Sequence, residues 1–125
     1  MDLDPTLPTL DREVLAELER AGRSISQPDL VAEVFETFRQ GGLPLLSGID
    51  AGIRQADPLA VFTCAHKLKS SSGAVGAARL VALCDALQRL GKRGVLEGAA
   101  ELYAAIQTEY AAVLAASRRL TGDGT

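Results

Sequence analysis

The sequence predicts an all-α protein: an antiparallel up-down four-helix bundle with an additional short N-terminal helix. Three observations carry this expectation. Aromatics make up 4% of the 125 residues, tryptophan is absent, and no β-branched run occurs. Apolar residues recur at helical spacing through most of the chain. Short stretches holding Pro, Gly or Asp separate the periodic segments, so consecutive helices should be antiparallel neighbours. A chain of this length builds one domain, here residues 1–125 with a core over about 10–120.

Residues 1–9 hold two prolines and no period, and read as a loose lead-in. A first helix is expected over 10–21, with Leu10, Val14, Leu15 and Leu18 on one side and Gly22 as its stop. Residues 23–27 are a polar link. Pro28 and Asp29 open a second helix with Val31, Val34, Phe35 and Phe38 as its stripe. Gly41, Gly42 and Pro44 interrupt the pattern before Leu45, Leu46, Ile49 and Ile53 resume it. Proline costs roughly 3 kcal/mol inside a helix, so a break or kink is expected there.

Asp57 and Pro58 start the third helix as N-cap and first helical residue, and it should run to about Gly73. At roughly 100° per residue, Val61, Ala65, Leu68 and Ser72 share one face, with Cys64 and Val75 beside it. His66, the single histidine, lies nearly opposite, on a stripe with Leu59, Phe62, Lys69, Ser70 and Gly73. Gly76 marks a turn. The fourth helix, 77–90, turns Leu80, Leu83, Leu87 and Leu90 inward, and Gly91 and Gly94 bracket a basic turn after it. The fifth, 95–120, carries a bundle-core stripe of Leu96, Ala99, Tyr103, Ile106, Tyr110, Val113, Ser117 and Leu120. Residues 121–125 should fray.

Composition excludes several classes. Net charge is −3, which argues against nucleic acid as a partner. No apolar run approaches the roughly 20 residues of a membrane span, and no signal-peptide pattern follows Met1. Cys64 and Cys84 look like small core residues, consistent with a reducing cytoplasm, and their spacing offers no metal site. The charge is unevenly placed. Between His66 and Arg93 stand six basic residues (Lys67, Lys69, Arg79, Arg89, Lys92, Arg93) and one acid, Asp85, a net +5 that leaves −8 for the rest. That cluster is either a set of solvated side chains or a basic docking surface for an acidic, phosphorylated partner.

A lone histidine is often structural. This one faces outward between two lysines and small residues, which lets another protein approach closely. Imidazole, with an unperturbed pKa near 6.5, is a good nucleophile at neutral pH. A side chain accepting a hydrogen bond from Nδ1–H would leave Nε2 to react, and lysines would offset the charge on phosphoryl oxygens. No Gly-rich phosphate loop occurs that could bind ATP, so the phosphoryl group must come from another protein.

The run Ala-His-Lys-Leu-Lys-Ser-Ser-Ser-Gly-Ala-Val-Gly-Ala at 65–77, with Leu80, Leu83, Cys84, Leu87, Gln88, Gly91, Lys92 and Arg93 after it, closely resembles the histidine-containing phosphotransfer (HPt) domains of multistep phosphorelays. The resemblance spans residues 10–117. It implies that His66 is phosphorylated, that Lys69 neighbours the phosphate, that Lys67 occupies a variable polar or basic position, and that Gln88 bonds the histidine ring. It implies partners too: response-regulator receiver domains and a hybrid histidine kinase, with Mg²⁺ brought by the receiver and no cofactor of the chain's own. Ser70 departs from the family's usual glycine but is still small. Gly73 and Gly76 lie by the active face. Phe62, Leu59 and Ala77 are candidates for apolar docking or for bundle-edge packing. The expected protein is a monomeric cytoplasmic carrier and not a turnover enzyme. Its rivals are a non-phosphorylated adaptor or inhibitor that binds a receiver or kinase, the output end of a hybrid kinase, and a phosphatase, which would lack any metal or acid–base pair.

Overall fold

A computed structural model describes residues 3–121 as five helices: α1 (Arg12–Ser24), α2 (Leu30–Arg54), α3 (Pro58–Ala74), α4 (Ala78–Arg93) and α5 (Ala99–Thr121). The expected fraying beyond Thr121 lies outside the described residues. Helices α2 to α5 close a ring in which α3 packs on α2 and α4, and α5 packs on α4 and α2. The contacts run in opposite residue order across each pair. Gly48 lies against Cys64 and Gly52 against Val61; Arg39 meets Tyr110, while Phe35 lines a hollow with Ser117. The bundle is therefore antiparallel throughout, with α1 leaning on α2. Ile49, Val61, Ala65, Leu68, Leu80, Leu87, Ile106 and Val113 are wholly buried at its centre.

Helix α3 starts as its sequence requires: the Asp57 carboxylate accepts from the Ala60 amide at 3.1 Å, and Pro58 fills the first helical position. Its buried residues are Val61, Ala65, Leu68 and Ser72, the stripe the period predicts. The Ser72 hydroxyl, deep in the core, is satisfied by the Leu68 carbonyl at 2.6 Å.

Several expectations are corrected. Gly22 does not end α1, which runs to Ser24. It is buried, and a Cβ there would come within 2.7 Å of the Gln27 carbonyl. The residue permits a close approach of the returning chain, and the change of direction is made later, at Ser26 with φ 57°. Of the two arrangements expected near Gly42 and Pro44, the structure takes the single long helix and not the break: α2 is continuous through Pro44. Pro44 and Gln40, whose carbonyl loses its amide partner, are both exposed, so water can satisfy that group. Packing of α2 on both α3 and α5 holds the helix together, and the Tyr110 hydroxyl donates to the Arg39 carbonyl at 2.8 Å just before the proline.

Gly91 is not a turn residue. It sits buried inside α4, which continues to Arg93 and ends on Gly94 in the left-handed conformation, φ 72°. Helix α5 accordingly begins at Ala99, after a loop turned by Gly98 at φ 85°, and Leu120 at the far end of its stripe is exposed.

Finally, the lead-in from residue 3 onward is tied down; its first two residues lie outside the described residues. The Pro8 carbonyl accepts from the Arg79 amide at 3.1 Å, and the Arg79 guanidinium donates to the Leu7 carbonyl at 3.1 Å. Helix α4 has no side-chain N-cap, so the lead-in supplies an acceptor that one of its first amides needs.

Candidate functional site

The site is built on the outer face of the α3–α4 pair, the most extensive helix contact in the bundle. Because Ala65 and Leu68 are fixed in the core, the helical turn forces His66 outward in mid-helix, and it is exposed. Its Nδ1 lies 3.1 Å from Oε1 of Gln88 on α4. A carbonyl oxygen only accepts, so in a neutral ring this contact selects the tautomer with the proton on Nδ1 and the lone pair on Nε2. One turn earlier on α3, Phe62 stacks on the imidazole with centroids 5.9 Å apart and planes 13° from parallel. The ring is thus held at one nitrogen and along one face.

One turn later Lys69 reaches across to α4, where its ammonium donates to Asp85 Oδ1 at 2.9 Å. Asp85 Oδ2 takes the Arg89 guanidinium at 3.0 Å. The Lys69 hydrogen bond holds the Asp85 carboxyl below the usual range against the opposing effect of burial, with the positive charges of Lys69 and Arg89 adding to it. Lys67 and Ser70 are exposed beside the histidine, and Lys67 makes no ion pair among the described residues. Gly73 is exposed one turn beyond, and the nearest atom to a Cβ there would be a Val81 methyl carbon at 3.9 Å, so the surface on that side is low.

Of the candidate docking residues, Leu59 is 71% exposed and Phe62 half-buried. With Pro58, Gly91, Lys92 and Arg93 they line a shallow hollow beside the imidazole. Gly76 and Ala77 are not available for docking. Both are buried, because Val14 of α1 and the lead-in cover the α3–α4 turn, where the Asp11 amide donates to the Gly76 carbonyl at 2.7 Å. Gly76, at φ 75°, shapes that turn.

The basic cluster is also less open than the sequence suggests. Arg79 turns to the lead-in, Lys69 and Arg89 share Asp85, and Lys67, Lys92 and Arg93 are the exposed cations without an ion pair among the described residues. Asp85 is the site residue that sequence reading passed over. Its signal was the register: on antiparallel helices, a His66–Gln88 contact places residue 69 opposite residue 85.

Burial pushes the Cys84 thiol up to about 12, so it is inert at neutral pH. Among the described residues no three His, Cys, Asp or Glu side chains cluster as metal ligands. No described helix is long and apolar enough to cross a membrane.

The family model described as the Hpt domain matches residues 33–116, from the first turns of α2 to near the end of α5. The chain is also similar to a crystal structure of histidine-containing phosphotransfer protein B (HptB) from Pseudomonas aeruginosa PAO1. Identity is 26%, coverage is 91% of this chain and 95% of that one, and the TM-score is 0.81. No curated protein matches the chain significantly.

Proposed function

The chain belongs to the Hpt domain family, whose members relay phosphoryl groups through a histidine, and from that premise we propose that His66 is the residue that carries the group. The observation that supports this most directly is the exposed histidine with its Nδ1 on Gln88, which leaves Nε2 as the ring nitrogen not engaged there. In the proposed step the Nε2 lone pair attacks the phosphorus of a receiver-domain aspartyl phosphate in line. The phosphorus–oxygen bond breaks, and the aspartate carboxylate leaves with the electron pair. The proton stays on Nδ1, where Gln88 Oε1 stabilises the positive charge that the ring acquires. Lys67 and Lys69 lower the cost of charge on the phosphoryl oxygens, and the Ser70 hydroxyl adds a donor. Passage to a second receiver runs the same step backwards.

The chain needs no cofactor of its own on this reading; Mg²⁺ comes with the receiver. Its partners are receiver domains and a hybrid histidine kinase, met through Leu59 and Phe62 with Lys92 and Arg93 at the rim. It works as a monomeric single domain in the cytoplasm, as a carrier without an ATP site, and neither nucleic acid nor membrane is involved.

The test is to mix the protein with a receiver domain charged by a small acyl phosphate and follow acid-labile, base-stable phosphate on it. Label is expected on the wild type. Binding of the receiver without label overturns the proposal in favour of an adaptor. Gln88→Leu, which lets the ring proton move to Nε2, should slow uptake on the order of tenfold with the fold intact.

A further inference from the structure

The two contacts that cross from α3 to α4 at the site are consecutive rungs. His66 meets Gln88; three residues on along α3 and three back along α4, Lys69 meets Asp85. Side chains three apart on a helix are surface neighbours, about 5–6 Å apart at Cβ, so both rungs stand side by side on one face. Asp85 is fixed from two directions, by Lys69 on Oδ1 and by Arg89 on Oδ2. The ammonium next in register to His66 is therefore already engaged by a carboxylate before any phosphoryl group arrives.

Building on the phosphotransfer reading, we infer that Asp85 is a positioning residue that competes with the phosphoryl group for Lys69 and so weakens the hold of the loaded protein on it. When His66 is loaded, the ammonium keeps its three protons and exchanges one acceptor, Asp85 Oδ1, for another, a phosphoryl oxygen. No covalent bond changes in that exchange. A carrier must release what it accepts. A lysine without this counterion would bias the partition toward the loaded state, and Asp85 draws it back toward parity with the receiver. Arg89, on the other oxygen, keeps the carboxylate in place while Lys69 moves.

The experiment compares wild type, Asp85→Asn, Lys69→Gln and the double variant. For each, the phosphoryl partition between the protein and one receiver domain is measured at equilibrium. Asp85→Asn should raise the share on this protein about fivefold, the factor expected from releasing a partly buried ion pair. In the Lys69→Gln background the rise should fall below about twofold, because the effect runs through Lys69. No rise, a decrease, or the same rise in both backgrounds would overturn the inference.

A second readout needs no receiver. Phosphoramidate loads histidine directly, and the nitrogen resonance of the Lys69 ammonium should move on loading of the wild type; an unmoved resonance overturns the inference. A moved resonance in a protein that no receiver can charge would sink the relay reading and leave the Asp85 exchange standing. A protein charged by receivers whose Asp85→Asn partition is unchanged would do the reverse.

Discussion

His66→Gln abolishes phosphoryl uptake from a charged receiver, leaving incorporation at the background of an unreactive protein, while the fold survives. The activity loss is complete because no second histidine exists and the glutamine amide is not a nucleophile at neutral pH. The fold survives because the histidine is exposed and fixed to the bundle by two contacts, the Gln88 hydrogen bond and the Phe62 stack. A hydrogen bond of this kind contributes about 1 kcal/mol, and glutamine recovers part of that as a better helix former. Thermal unfolding should therefore shift by no more than about 5 °C. Phosphate incorporation and circular dichroism on the same preparation check both halves. A variant that is folded and still labelled would remove His66 from the mechanism.

Gly91→Ala lowers stability by about 3 kcal/mol, although at an exposed helix position the same change raises it by up to about 1 kcal/mol. A Cβ at Gly91 would lie 2.7 Å from the Phe62 amide nitrogen, 2.8 Å from the Pro58 carbonyl oxygen and 3.0 Å from the Phe62 Cα. These are backbone atoms of α3, which cannot rotate aside as a flexible side chain would. The helices must separate, and their shared buried residues lose contact on both sides. The midpoint of thermal unfolding should fall by roughly 10 °C or more. The damage should also reach function, because the same interface sets the His66–Gln88 register. Denaturant unfolding measures the first effect directly, and a neutral or stabilising Gly91→Ala would mean that α3 and α4 are not packed this closely.

Gly91 also shows where sequence reading reaches its limit. A glycine in a helical pattern can end the helix or admit a neighbour, and the local sequence is the same in both cases. Gly94 takes the first role; Gly22 and Gly91 take the second, which becomes visible only once the packing partner is known. The periodic features were legible because they follow from helix geometry alone. The stripe Val61, Ala65, Leu68 and Ser72 set the orientation of α3, and that orientation put His66 outward. The Asp57–Pro58 start was equally local.

The features that were missed depend on distant residues. Pro44 stays helical because α2 is braced on two sides. Residues 3–11 are ordered because Arg79, some 70 positions away, needs their carbonyls. Ala77 looked surface-bound until α1 and the lead-in covered its turn. At the site, Gln88 came from the family resemblance and Phe62 from its place on the histidine stripe. The Lys69–Asp85 pair could be read only after the register between α3 and α4 was fixed.

With Gln88 holding Nδ1, Nε2 is the nitrogen left to react. The site of phosphorylation decides the matter, read by ³¹P and ¹⁵N magnetic resonance on receiver-charged protein with the histidine ring labelled. One phosphoryl group is expected on Nε2 of His66, with Nδ1 still protonated against Gln88. A phosphoryl group on Nδ1, or on any residue other than His66, would contradict it.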